Sequence, residues 1–97
     1  MASLAQAHNQ RCSSAVDLVQ PERGVISNAQ TASAVAFAYL VPIYGEAQIR
    51  RELPLRATLR DEVWTVEGVL PPRSIGGTAF IALCQRNGTV LRIIHSK

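Results

Sequence analysis

The apolar positions of this 97-residue chain change period near its middle. From Ala29 to Tyr44 the sequence reads AQTASAVAFAYLVPIY. Ala32, Val35, Ala36, Tyr39, Leu40 and Ile43 fall at helical spacing on one stripe. Phe37, Val41 and Tyr44 form a second stripe, so this helix is apolar over most of its circumference and needs cover on more than one side. Asn28 or Thr31 supplies an N-cap oxygen for the first-turn N–H groups. Pro42 lacks an N–H and disfavours helical geometry at Val41, so the helix kinks or stops there, with Gly45 as a permissive turn. EAQIRREL then has room for about two helical turns before Pro54.

Beyond Pro54 the period becomes two. LRATLR (55–60) and VWTVEGVL (63–70) flank Asp61-Glu62, and pairing across that turn sets Leu59 opposite Trp64, Ala57 opposite Val66 and Arg56 opposite Glu67. Arg56, Thr58, Arg60, Val63, Thr65 and Glu67 then share a wet face. After the loop PPRSIGG, the segments 77–86 and 89–96 are joined by Asn87-Gly88, a strong hairpin signal. Simple alternation places Phe80, Ala82, Cys84, Leu91 and Ile93 on one face and Ile81, Leu83, Val90 and Ile94 on the other. Both faces are apolar, which predicts central strands or strands with a covered second face. The expected architecture is α+β: one long kinked helix packed on a curved four-stranded antiparallel sheet.

Residues 1–24 read as a weakly structured lead-in and 25–97 as the domain. Val16, Leu18 and Val19 of the lead-in are the simplest cover for the helix's second stripe. Apolar residues at 47% and charged residues at 18% suit a folded domain. The net charge of +3 comes wholly from 25–97, because Arg11 and Arg23 balance Asp17 and Glu22 in the lead-in. Its arginines are interspersed with acids, unlike a nucleic-acid footprint, so no nucleic-acid partner is expected. The chain has no run of about 18 apolar residues and its N-terminus does not read as a signal peptide. Cys12 and Cys84 are expected as free thiols, and the setting as reducing and cytoplasmic, with no membrane partner.

The chain offers little chemistry to an enzyme. His8 lies in the lead-in and His95 near the last strand's end, neither with metal-ligand spacing around it. Asp61 and Glu62 are turn residues, and Gly76-Gly77 opens a strand rather than a phosphate-binding helix. No catalytic residue, metal or cofactor is expected. A pocket between helix and sheet, lined by Tyr39, Tyr44, Trp64 and His95, is the alternative, and would make the chain a small-molecule binder or minor enzyme.

Taken in order, Pro42-Ile43-Tyr44-Gly45, Leu53-Pro54, Asp61-Glu62-Val63-Trp64-Thr65-Val66, Gly68-Val69-Leu70-Pro71, Gly76-Gly77, Asn87-Gly88 and His95-Ser96-Lys97 closely resemble the NTF2-fold immunity proteins of bacterial polymorphic toxin systems. The resemblance covers about 25–97. Glu62 departs from it where a turn glycine is usual, and Ser96 where the penultimate residue is glycine. It implies a compact NTF2-like fold, a structural role for Pro42, Tyr44, Gly45, Trp64, Gly76, Gly77 and Gly88, and a cognate toxin as partner. Two surfaces are candidates for that contact. One is the segment after the kink, with Glu46, Gln48, Arg50, Arg51 and Glu52 projecting their charges; the other is the wet sheet face with Arg56, Arg60 and, from the loop, Arg73. Arg50, Arg51 and Arg56 are the leading contacts on this reading. Phe37, Val41 and Tyr44 are a candidate homodimer face.

Overall fold

The computed structural model describes Cys12 and residues 22–96. The expectations placed on His8, Val16, Leu18, Val19 and Lys97 lie outside the described residues. Helix α1 runs from Ala29 to Tyr44. Asn28, in extended geometry, caps it by accepting the Thr31 N–H at 2.8 Å. The helix passes through Pro42, because the missing N–H falls in the last turn and removes only one hydrogen bond there. It ends at Gly45, where φ is 93° and the N–H reaches the Val41 carbonyl at 2.8 Å. A second helix, α2, spans Glu46–Arg51, with an acid at its start and two arginines in its last turn, as the helix dipole favours. The expected single kinked helix is therefore two helices broken at a glycine.

The buried side of α1 differs from the stripe read by spacing. Ala32, Ala36 and Leu40 are fully buried, whereas Tyr39 and Ile43 are 46% and 53% exposed. Phe37, Val41 and Tyr44, the candidate dimer face, are partly buried and pack against the chain's own core. Contact begins on the Ala32–Val35–Ala36 side and has rotated to Leu40, Val41 and Tyr44 by the last turns. A helix that crosses a sheet and then meets a second helix loses the straight stripe that spacing assumes.

Strands β1 (Arg56–Arg60), β2 (Val63–Glu67), β3 (Ala79–Cys84) and β4 (Val90–His95) form an antiparallel meander in chain order. The β1–β2 register is the expected one, with Leu59 opposite Trp64 and Arg56 opposite Glu67. Between β3 and β4, Ala82 faces Arg92 while Leu83 faces Val90, so Leu91 is an extra, bulged residue. The bulge reverses the alternation after it. Ile93 turns to the helix-side core opposite Ile81, and Ile94 turns outward opposite Phe80, the reverse of the expected faces.

Two cores result. The main one joins α1 and α2 to the sheet through Leu40, Ile49, Trp64, Val66, Ile81 and Leu83. Trp64 is anchored there, its indole N–H donating to the Ile26 carbonyl at 2.8 Å. The second lies on the other face, where Cys12, Val63, Ala82 and Cys84 are buried and Phe80 and Leu91 pack beside them. Val63, expected on the wet face, is 7% exposed, buried in this second cluster with Cys12, Ala82 and Cys84. Cys12 and Cys84 are not free thiols but a disulfide, with Cα atoms 5.4 Å apart. Their sequence separation of 72 carries no spacing signal, so only the fold brings the sulfurs together.

Candidate functional site

Glu52 follows α2 directly, and the chain's path turns its side chain inward. The sequence reading had it projecting with its neighbours, yet it is 1% exposed. One carboxylate oxygen, Oε1, accepts the Ala79 N–H at 2.6 Å; the other, Oε2, accepts Gln48 Nε2 at 2.8 Å and faces His95 Nε2 at 3.0 Å. The Glu52 carbonyl also accepts the Val69 N–H at 2.8 Å. One residue thereby fastens α2 to β3, to β4 and to the segment that follows β2. A Cβ on Gly68 would collide with the Glu52 side chain, and one on Gly77 with the Ser96 backbone. Both glycines are therefore requirements of close approach rather than of turn geometry.

Burial opposes ionisation of Glu52, but the hydrogen bonds from Gln48, Ala79 and His95, with the charge of His95, outweigh it. The net effect holds its pKa below the ordinary carboxylate value. His95 Nδ1 lies 2.8 Å from the Ser96 carbonyl while Nε2 faces Glu52. Both ring nitrogens thus lie within hydrogen-bond distance of oxygen atoms. Tyr44 stacks at a tilt on the same ring, centroids 5.0 Å apart.

These residues floor an open cleft of about 620 Å³, walled by Gln48 and Arg51 on α2 and by the 70–77 loop with Gly76 and Gly77 at its rim. Two of the four expected pocket residues, Tyr44 and His95, meet here. Trp64 is buried in the main core and Tyr39 lies exposed on α1. No buried side-chain nitrogen or oxygen among the described residues lacks a partner, so the cleft aims no orphaned polar group at a ligand. Nor do the described residues hold a cluster of three or more metal-ligating side chains.

The remaining candidate residues separate into two surfaces. On α2, Arg50 pairs with Glu46 at 2.7 Å and lies 5.5 Å over the Phe37 ring, while Arg51 donates to Gln48 at the cleft. Arg73 is exposed on the loop, with a φ of 65°. Arg56 and Arg60 stand on the sheet's outer face, in rows fixed by the register. One row runs Arg56–Glu67–Phe80–Ile94, the next Thr58–Thr65–Ala82–Arg92, and the third Arg60–Val63–Cys84. Arg92, Phe80 and Ile94 are not among the candidate contacts read from the sequence. Strict alternation puts Arg92 and Ile94 on the Val90 face, so both reach the outer face only through the bulge. Among the described residues Arg56, Arg60 and Arg92 make no ion pair, and Ile94 is 39% exposed.

Comparison with known proteins bears on what such a surface serves. Residues 31–97 match the model of a family described as NTF2 fold immunity protein. A protein of Escherichia coli (strain K12), named Uncharacterized protein YbbC, is 33% identical over 76 residues, which is 77% of this chain and 62% of that protein. The match thus spans less than two thirds of that relative's length. No solved structure matches the chain. No helix among the described residues is long and apolar enough to cross a membrane. With a helix pair packed on a four-stranded antiparallel meander and a family match over most of its length, the chain belongs to the NTF2-fold immunity proteins.

Proposed function

We propose that this immunity protein acts by binding a cognate toxin directly, and that the outer face of the sheet makes the contact. The observation that supports this reading is the composition of that face. Three arginines without carboxylate partners among the described residues share this face with the half-buried Phe80 and the partly exposed Ile94. Interfaces favour this combination of an apolar centre with arginine forks that bind carboxylates bidentately. Arg51 lines the cleft, Arg50 is already engaged by Glu46, and Arg73 lies exposed on the loop between β2 and β3. The reading therefore centres on Arg56, Arg60 and Arg92 rather than on the α2 arginines.

The test is charge reversal, Arg56→Glu with Arg60→Glu and Arg92→Glu, assayed against the toxin that co-purifies with the wild-type chain. Toxin affinity should fall at least tenfold, about 1.4 kcal/mol, while circular dichroism stays unchanged. A folded triple variant that binds and protects as the wild type does removes the outer face from the mechanism. The cleft supports a second reading, a small-molecule binder, because its volume lies in the usual range for ligand sites. Its polar floor is already satisfied by the protein, which is why we rank it second.

A further inference from the structure

The disulfide speaks to where the protein works. Cys12 and Cys84 are 4% and 0% exposed, at the centre of the outer-face core formed with Val63 and Ala82. Asn87 Nδ2, on the β3–β4 hairpin, donates to the Cys12 carbonyl at 2.8 Å, and Asn87 Oδ1 accepts the Thr89 N–H at 3.0 Å. The hairpin thus holds the backbone of Cys12 while Cys84 holds its sulfur. The chain has no third cysteine, so neither partner has an alternative within the molecule. A bond that is buried, hydrogen-bonded at its flank and enclosed by apolar side chains is part of the fold. An exposed pair of thiols poised for exchange has none of these features.

From this we infer that the oxidised chain is the working form, and that it works in an oxidising compartment outside the cytoplasm. In the cytoplasm, glutathione and thioredoxin keep such pairs reduced, and structural disulfides are correspondingly rare there. The bond forms by exchange with a disulfide-bearing oxidoreductase of that compartment. One cysteine thiolate attacks the carrier's disulfide, and the second thiolate then displaces the carrier from the mixed disulfide. Two electrons pass to the carrier, which leaves as a dithiol with the two protons, and the chain gains its S–S bond.

The consequence for the partner rests on the direct-binding reading above. Cys84 shares its row of the outer face with Arg60 and Val63, so the bond fixes Cys12 beside the proposed contact surface. A toxin that docks on this face meets the oxidised form, outside the cytoplasm.

The experiment needs no toxin, so its failure and that of the binding reading are separable. Native host cells are quenched with acid and divided into cytosolic and extracytoplasmic fractions. Thiols are then alkylated with and without prior reduction, and the intact mass of the chain is read in each fraction. We expect the chain in the extracytoplasmic fraction, taking up no alkyl group before reduction and two after it. Finding the chain in the cytosol, or finding both cysteines alkylated before reduction, overturns the inference.

Discussion

Glu52 illustrates how one residue can be misjudged by its neighbours. In the string GEAQIRRE it stands among exposed charges, yet it is the buried polar residue on which α2, β3 and β4 converge. Because its pKa is lowered on folding, its ionised form contributes stability that is present above the ordinary value of 4.5 and lost as pH falls through the folded value. Glu52→Gln sets an amide donor against Gln48 and His95 and should cost about 2–3 kcal/mol at neutral pH. The difference between wild type and variant, read as urea midpoints, should shrink as pH falls below 4.5. A gap that persists undiminished at pH 3 would show that ionisation of Glu52 is not what the sheet depends on. Turn residues give a prediction of opposite sign. Asp61 and Glu62 have φ of 51° and 65°, consecutive left-handed positions that glycine occupies without steric cost. Glu62 gives up little in its exposed pair with Arg86. After the added unfolded-state entropy of glycine, Glu62→Gly should stabilise the fold by about 0.5–1 kcal/mol in thermal denaturation.

Among the elements, the strands were legible because one registered hairpin constrains its neighbours. Leu59–Trp64 and Arg56–Glu67 follow from a two-residue turn, and the observed register agrees. The same reasoning misassigned Ile93 and Ile94, because strict alternation has no means of anticipating the extra residue at Leu91. The bulge makes an unusual prediction. Deleting Leu91 should restore regular alternation, keeping Val90 and Ile93 in the core and Arg92 outside, so the fold should survive a deletion within a strand. The cost should be the packing of one half-buried leucine, about 1–2 kcal/mol, measured by urea unfolding with near-ultraviolet circular dichroism as the check on packing. An unfolded deletion variant would mean that the bulge does more than accommodate one residue. In α1 the same limit of periodicity appears. Spacing alone places Tyr39 and Ile43 with Ala32, but a helix crossing a sheet buries different sides at its two ends.

At the scale of the whole molecule the disulfide closes a loop across most of the chain. By the chain-entropy account, a crosslink of this separation restrains the unfolded state by up to about 4 kcal/mol. Reduction, or Cys12→Ser with Cys84→Ser, should therefore lower stability by about 2–4 kcal/mol and shift the thermal midpoint down, with β1–β4 retained. An unchanged midpoint would place Cys12 outside the cooperative unit. Alternating apolar residues, a paired turn at Asp61-Glu62 and an Asn-Gly hairpin were enough to determine an α+β chain with a four-stranded meander, since these signals act between neighbours in sequence. The ordered motifs likewise determined the immunity family, which the family match over 31–97 shows. Only the tertiary structure decided that Glu52 is buried, that Phe37, Val41 and Tyr44 serve the chain's own core, and that Cys12 is bonded to Cys84. Each of these depends on groups brought together from distant parts of the chain, and no local period or propensity encodes such a meeting.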